Sequence, residues 1–89
     1  MEKILLSINQ IEDKNQREVV IPDGYTKIGD GVFRYCTSLE NVVIPDSVTK
    51  IGWRAFSGCT SLESVSVPRL AKWEDGTFEN CPKLKIIRR

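Results

Sequence analysis

A repeat of 23 residues limits how this chain can fold more than any other feature of its sequence. Residues 44–67 read IPDSVTKIGWRAFSGCTSLESVSV; the pattern also occupies residues 21–44 and, one residue shorter, residues 67–89. Because a single such unit cannot bury its apolar side chains alone, the repeat predicts a solenoid of stacked coils. Four residue types recur at the same repeat positions: Pro22, Pro45 and Pro68; Phe33, Phe56 and Phe78; Cys36, Cys59 and Cys81; and Leu39, Leu62 and Leu84.

Each unit predicts two short strands and a compact turn. Leu39, Val42 and Ile44 are spaced as in a strand with alternate side chains in the core, and proline then ends the strand because it cannot donate a ladder hydrogen bond. The run SVTKIG predicts a second extended segment with Val48 and Ile51 inward. GVFRYC and RAFSGC are too short for a full helix and suit one helical or 3₁₀ turn. The predicted fold class is a mainly β repeat solenoid with short parallel strands and single helical or 3₁₀ turns.

The beginning of the chain matches the repeat poorly. We predict that residues 1–18 form an N-terminal cap on a three-coil solenoid of residues 19–89, within a single domain overall, because a terminal coil needs a cover. Alternating apolar residues between Ile4 and Ile8 suit a half-buried strand, while Ile4, Ile8 and Ile11 also fit one face of a helix. Both alternatives stay open.

The last unit departs from the pattern at Trp73. This residue stands where the middle unit has Ile51, and Glu74 follows in place of Gly52. Terminal repeats are normally atypical, since no further coil covers them. We expect Trp73 to be an apolar lid on the open end, with a ligand contact as the alternative.

The last strand, expected from Leu84 to Arg88, has nothing stacked on it. Basic residues around it deter edge-to-edge pairing with another molecule, whereas Ile86 and Ile87 favour it. The sequence therefore predicts a monomer and leaves an end-to-end dimer as the alternative. The basic residues are Lys83, Lys85, Arg88 and Arg89.

Composition argues against several classes of function. Thirteen Lys and Arg against twelve Asp and Glu leave a net charge of +1, unlike a sequence-specific nucleic-acid binder. No apolar run approaches the roughly 18 residues of a membrane span, and the start MEK does not resemble a signal peptide. We expect no membrane association and a cytoplasmic location, although a fragment of a secreted protein would look the same.

The chain contains no histidine, so the commonest general base and neutral metal ligand is missing. Three cysteines suit no closed disulfide framework, and their spacing does not resemble a paired zinc site. We expect Cys36, Cys59 and Cys81 to form a column of small buried side chains, with a metal or redox role as the alternative. The prediction is a protein that is not an enzyme, with no cofactor and no metal.

Lysine also recurs at one repeat position, as Lys27, Lys50 and Lys72. These residues predict an exposed row beside the second strand. Such a row either is a solvated face that discourages edge pairing or steers an acidic partner toward the protein.

The unit IPDSVTKIGWRAFSGCTSLESVSVP resembles the BspA-like leucine-rich repeat, whose pattern is roughly IPxSVTxIGxxAFxxCxxLxxIxIP. Residues 19–89 resemble it in three units. The resemblance implies leucine-rich-repeat-like coils in a right-handed solenoid with parallel strand ladders, and binding rather than catalysis. Many family members resemble surface adhesins of host-associated microbes in long arrays; this chain is much shorter and shows no export signal.

Two aromatic residues break the repeat where the other units place small or polar side chains, and an arginine flanks each of them. Tyr, Trp and Arg are enriched in binding hot spots, although exposed aromatic residues also occur without a function. We predict a partner-binding site at these four positions. They are Trp53, equivalent to Asp30 and Asp75, Tyr35, equivalent to Gly58 and Asn80, and the flanking Arg34 and Arg54.

The outward face of the first strand of each unit is a second candidate surface, because solenoids commonly bind through such ladders. Its chemistry is mild and indicates no ligand class. The two predicted rows are Glu18, Asn41, Ser64 and Ile86, and Val20, Val43, Ser66 and Arg88.

The function predicted from the sequence is a non-enzymatic protein–protein interaction module. Its partner is a protein, engaged either by the side that bears Tyr35 and Trp53 or by the strand ladder. One alternative is a small stand-alone inhibitor of an intracellular enzyme, such as one encoded by a phage or mobile element. Another is a fragment of a microbial surface adhesin.

Overall fold

The computed structural model describes residues 3–7 and 17–89. Eight short strands in these ranges alternate along the chain between two parallel sheets. The first sheet contains, in spatial order, β1 (Ile4–Leu5), β3 (Lys27–Ile28), β5 (Lys50–Ile51) and β7 (Lys72–Trp73). The second contains β2 (Glu18–Val20), β4 (Asn41–Val43), β6 (Ser64–Val67) and β8 (Lys85–Arg88).

The register of both sheets confirms the repeat. Val19 pairs with Val42, which pairs with Val65. In the other sheet Ile51 pairs with Trp73. Up to β6 and β7 each strand residue lies beside its equivalent in the next coil, and backbone hydrogen bonds join successive coils along both ladders. The fold is a mainly β parallel solenoid of about three coils, as predicted.

The segments that contain phenylalanine form hydrogen-bonded turns, and no helix is present in the part of the chain described. The Arg34 amide donates to the Gly31 carbonyl at 3.1 Å, and the Cys36 amide donates to the Phe33 carbonyl at 3.2 Å. These bonds span three residues, as in a 3₁₀ turn. Tyr35, with φ of 61°, then leaves the right-handed helical region, so the turn cannot continue as a helix.

The core is a column of stacked rings between the two sheets. The centroids of Phe33 and Phe56 are 4.9 Å apart with planes 4° from parallel, and those of Phe56 and Phe78 are 5.5 Å apart. Phe33 and Phe56 are fully buried, whereas Phe78 is only partly buried. The buried strand and turn residues around the column include Leu5, Ile28, Leu39, Val42, Ile51, Leu62 and Val65.

The first strand continues the ladder of the solenoid. Ile4 pairs with Lys27 and Leu5 pairs with Ile28, each with the 23-residue offset. Of the two alternatives for this segment, the strand is therefore correct. Leu5 is buried and Leu6 is 72% exposed. The predicted residues Ile8 and Ile11 lie outside the described ranges, and the boundary at residue 18 stays a prediction.

The predicted outward rows of the second sheet are wrong at their last members. Ser64 pairs with Lys85 and Val65 pairs with Ile86, so Ile86 continues the inward row. In the same register Arg88 pairs with Val67, which is also inward. The outward rows therefore end at Lys85 and Ile87.

The error has a simple physical reason. Leu62 and Leu84 are 22 residues apart, but the paired residues Ser64 and Lys85 are only 21 apart. Relative to the middle unit, the last unit therefore lacks a second residue, and this one is missing between Leu84 and β8. Because side chains alternate along a strand, a shift of one residue moves every following side chain to the opposite face.

Trp73 packs against the last ring of the column, and its predicted role as a lid on the open end stays a prediction. Its ring meets Phe78 edge-on, with centroids 5.3 Å apart and planes at 82°. The guanidinium of Arg88 lies 4.4 Å from the centroid of Trp73 and donates to the carbonyls of Arg69 and Ala71. Trp73 thus contacts both Phe78 and Arg88.

Candidate functional site

Two columns of residues with positive φ shape the turn side of the solenoid. Members of each column are repeat equivalents, so every coil requires a left-handed backbone at the same two places. Glycine adopts this conformation without steric penalty, whereas a residue with a Cβ is disfavoured. The columns are Gly31 (66°), Arg54 (52°) and Gly76 (73°), and Tyr35 (61°), Gly58 (77°) and Asn80 (60°).

Tyr35 and Arg54 are the two residues with large side chains in these columns. The sequence prediction singled out both, but it compared only Tyr35 with its repeat equivalents. The left-handed backbone of Arg54 was missed, although Gly31 and Gly76 at the same repeat position carry the signal. Comparing the three units at every repeat position would have shown that Arg54 stands where the other two units have glycine.

The ring of Tyr35 lies across the next coil. A Cβ placed on Gly58 would come within 2.5 Å of this ring, so the glycine leaves the space that the ring occupies. The Tyr35 side chain is nevertheless 64% exposed. Arg34 holds the ring from one side, because its Nη2 donates to the Tyr35 hydroxyl at 3.1 Å and its Cζ lies 4.9 Å from the ring centroid.

Trp53 stands beside this pair on the adjacent coil and is 47% exposed. Its amide donates to Oδ1 of Asp30 at 2.8 Å, and its carbonyl accepts from the Gly31 amide at 3.0 Å. The Cζ of Arg34 is 5.9 Å from the Trp53 centroid, and that of Arg54 is 4.7 Å away. Arg34 therefore contacts both aromatic rings and links the two coils.

Arg54 extends the site to the third coil. Its Cγ would be 3.3 Å from a Cβ on Gly76, so this side chain also crosses a glycine of the neighbouring coil. Its Nη2 lies 3.9 Å from Oε2 of Glu79, with both side chains partly exposed. We call Arg34, Tyr35, Trp53 and Arg54 the aromatic–arginine cluster. The structure brings together all four residues predicted from the sequence.

The cluster carries positive charge that its surroundings neutralise incompletely. The Nε atoms of Arg34 and Arg54 are buried and have no hydrogen-bond partner within the described ranges. The Arg54–Glu79 distance of 3.9 Å is too long for a hydrogen bond, and exposed ion pairs contribute only about 0–1 kcal/mol. Within residues 3–7 and 17–89, Arg34 has no ion pair with a carboxylate.

The outward face of the second sheet differs from the cluster in chemistry. Val20, Val43 and Ile87 are exposed along one row, with Ser66 between the last two. Nη1 of Arg89 donates to Oγ of Ser66 at 2.6 Å, so the arginine covers this part of the row. The face therefore offers a neighbouring pair of aliphatic side chains, Val20 and Val43, that Ser66 separates from Ile87, and its described residues include no aromatic one.

The lysine row predicted from the sequence is confirmed. Lys27 pairs with Lys50, and Lys50 pairs with Lys72, along the first sheet. Lys50 and Lys72 are exposed and Lys27 is partly buried. Lys50 precedes Trp53 by three residues, so this row lies within about 10 Å of backbone from the aromatic–arginine cluster.

The cysteines form a column that is buried at its centre. Sγ of Cys59 lies 3.0 Å from the Phe33 carbonyl, and Sγ of Cys81 lies 3.1 Å from the Phe56 carbonyl. Desolvation raises the pKa of Cys59 to about 12 and raises the pKa of the half-buried Cys36 and Cys81 as well. A thiol that stays protonated is a poor nucleophile. No group of three or more potential metal ligands was found in the described ranges.

Comparison with known families agrees with the fold. The family model for the BspA type leucine rich repeat region matches residues 7–88 in six copies, a number that differs from the three units predicted here. Neither the curated proteins nor the solved structures contain a match. None of the described segments is a helix that could cross a membrane.

Leucine-rich repeats generally mediate protein–protein interaction and are typically not enzymes. The matched region covers nearly the whole chain and contains strands β2 to β8 and the aromatic–arginine cluster. The chain therefore belongs to the BspA-type leucine-rich repeat family.

Proposed function

We propose that this chain is a protein-interaction module that binds a protein partner through the aromatic–arginine cluster. The observation that carries the proposal is the left-handed backbone of Tyr35 and Arg54, at places where the other coils have glycine or asparagine. A large side chain in this conformation costs roughly 1–2 kcal/mol. Both unfavourable residues project their side chains onto one surface. Backbone strain of this kind gathers at functional sites, so it supports a role for these side chains in binding.

The composition and order of the cluster support the same proposal. Its residue types are those most enriched in interface hot spots. Arg34 is already held by Tyr35 and lies near Trp53, so ordering these side chains on binding costs little conformational entropy. Truncating an anchor of this kind commonly costs 2 kcal/mol or more, which is about thirtyfold in affinity.

The repeat itself supplies the variants that test the proposal. Tyr35→Gly, Trp53→Asp and Arg54→Gly each introduce the residue found at the equivalent position of another coil. We expect the variants to keep the melting temperature of the wild type within a few degrees, because each restores a residue that this fold already accommodates. Each should weaken partner binding about thirtyfold or more, measured by calorimetry with a partner first captured from the native host.

The matched control changes the other candidate surface. Val20→Arg with Val43→Arg places two charges on the outward face of the second sheet and should leave binding unchanged. Loss of binding in this control, with binding retained in Trp53→Asp, would place the partner on the sheet and refute the proposal.

The identity of the captured protein separates the two more specific functions. An intracellular enzyme whose activity falls when the chain binds would identify an inhibitor. An extracellular ligand would identify an adhesin segment and would contradict the proposed cytoplasmic location.

A further inference from the structure

The charges of the aromatic–arginine cluster indicate what kind of partner surface fits it. Arginine side chains carry a positive charge in proteins. Arg34 donates to a neutral hydroxyl, that of Tyr35, and has no ion pair within the described ranges. Within the same ranges, the ion pair found for Arg54 is the long contact to Glu79. Two positive charges thus lie near the ring of Trp53, and no carboxylate of residues 3–7 and 17–89 is at hydrogen-bonding distance from either one.

The contacts that position the two arginines leave some of their N–H groups available to donate hydrogen bonds to a ligand. A cation–π contact uses the positive charge of a guanidinium and does not consume its N–H donors. Arg34 lies near the rings of Tyr35 and Trp53, and Arg54 lies near Trp53. Each guanidinium is therefore positioned by aromatic rings while terminal N–H groups remain for an acceptor. Carboxylates match this donor arrangement and form short, charge-assisted hydrogen bonds with it.

The same surface also offers apolar area. The exposed parts of Tyr35 and Trp53 can be covered only by a partner side chain that is itself largely apolar, since covering them with a polar group would desolvate that group. The nearby lysine row adds positive charge and would attract an acidic partner over a longer range. In the preceding coil, Oδ1 of Asp30 already accepts a hydrogen bond from the Trp53 amide.

We infer that the cluster binds an acidic peptide segment of a partner protein, in which an Asp or Glu lies next to a large apolar residue. The carboxylate accepts hydrogen bonds from Arg34 and Arg54, and the apolar side chain covers Trp53 and Tyr35. A nucleic acid fits less well, because the chain has a net charge of only +1 and affinity for phosphates requires many unneutralised cations. This inference rests on the proposed function and specifies the chemistry of the partner.

The test uses random short peptides displayed on phage and selected on the full chain, with counter-selection on the Trp53→Asp variant. We expect the selected peptides to contain Asp or Glu next to an aromatic or large aliphatic residue. Synthetic copies in which Asn or Gln replaces the acid should bind about tenfold or more weakly. Affinity of the acidic peptides should also fall as salt rises.

Arg34→Gln supplies the matched protein variant. It should weaken the acidic peptide about tenfold and leave the amide peptide almost unchanged, so that a double-mutant cycle assigns the loss to the charge pair. Peptides that need Trp53 but bind equally well as acid and amide would overturn the inference while leaving the proposed function intact.

Two other results would also count against the inference. Selected peptides that bind the Trp53→Asp variant as tightly as the wild type would overturn the proposed function together with the inference. A selection that enriches no peptide above the Trp53→Asp control would overturn the inference alone. A surface that binds a short peptide segment must enrich peptides whose sequences fit it.

Discussion

The middle coil, residues 44–66, and the last coil, residues 67–89, carry the same motif but differ in burial. Phe56 has a stacked ring on both sides, whereas Phe78 has one on a single side and the edge of Trp73 nearby. Val65 is fully buried, and Ile86, which pairs with it, is 41% exposed. In a solenoid the contribution of a motif residue to the free energy of unfolding therefore depends on the coils beside it as much as on the residue itself.

The last coil replaces part of the missing contact with arginine side chains. Arg88 lies against the ring of Trp73, while Arg89 reaches back to both ends of the middle coil. Nη2 of Arg89 donates to Oδ1 of Asp46 at 2.8 Å and also to the carbonyl of Ile44, and its Nη1 donates to Ser66. These side-chain bonds tie the end of the chain to the preceding coils on the side of the second sheet.

The largest expected effect separates the two phenylalanines. Phe56→Ala removes a fully buried ring and should cost about 3–5 kcal/mol, against about 5–15 kcal/mol of total stability in an ordinary domain. Because a chain of 89 residues buries too little surface to lie far above the lower end of that range, we expect this variant to be largely unfolded at room temperature. Phe78→Ala should melt cooperatively at a reduced temperature, because its ring is only partly buried. Circular dichroism melts measure both, and equal losses would show that the last coil packs as tightly as the middle one.

The second expected effect concerns the rate at which the cysteines react. In variants that retain one cysteine each, Cys59 should react with a thiol reagent more than tenfold more slowly than Cys36 or Cys81, since Cys59 alone is fully buried and its pKa is raised to about 12. All three should react rapidly in denaturant. Similar native rates for the three would contradict the burial of the middle coil.

The raised pKa of the Cys59 thiol also predicts how the stability of the fold depends on pH. Its pKa is about 12 in the folded chain against an ordinary value of 9.0, so folding holds the proton more tightly. The resulting contribution to stability is complete below pH 9 and is lost as pH rises from 9 toward 12. Denaturant titrations across this range should show a shallower loss for Cys59→Ala than for the wild type.

A smaller effect is expected at the end of the chain. Arg89→Ala removes the hydrogen bonds to Asp46 and Ser66, and exposed ion pairs of this kind contribute about 1 kcal/mol or less. Lys83→Ala, an exposed neighbour for which no such contact is found, should change stability by no more than about 0.5 kcal/mol. Indistinguishable melts for the two variants would show that Arg89 does not stabilise the last coil.

The smallest expected effect is on association. The last coil exposes Ile86 and Ile87, but Lys85 and Arg88 flank them on the same open strand. We expect a monomer in sedimentation velocity runs at both low and high salt. If salt screening produces a dimer, Ile87→Lys should abolish it, and the exposed last coil would then be an end-to-end contact.

The parts of the fold that follow from the repeat could be predicted, and the parts that depend on a single lost residue could not. Phenylalanine, cysteine and leucine, each recurring after 23 and then 22 residues, were enough to place the ladders and the core. The register of β8 was misassigned because KIIRR offers two adjacent isoleucines, and either one can face inward. Strand β1 could not be distinguished from a helix by sequence, because it has only two residues and Ile4 pairs with a residue of a different type, Lys27.

The exposure of Trp53 and Tyr35 was predicted correctly because the equivalent residues in other units are small or polar. The bond from the Trp53 amide to Asp30 was not predictable, since it joins positions that come together only when coils stack. That these residues bind a partner stays a prediction.

The left-handed columns also bear on how such a chain can change over time. At Gly31 an added Cβ would meet Cβ of Arg34 at 4.0 Å, an ordinary contact, so this position has room for a side chain at a limited backbone penalty. At Gly58 and Gly76 the side chains of Tyr35 and Arg54 already occupy the space, so a new side chain there would require the residue of the preceding coil to move. A change of surface chemistry on one coil is therefore coupled to its neighbour, while the ring column and both ladders are built from other residues. In a longer array, the order of small and large residues along these columns would distinguish one binding specificity from another while the core motif stayed constant.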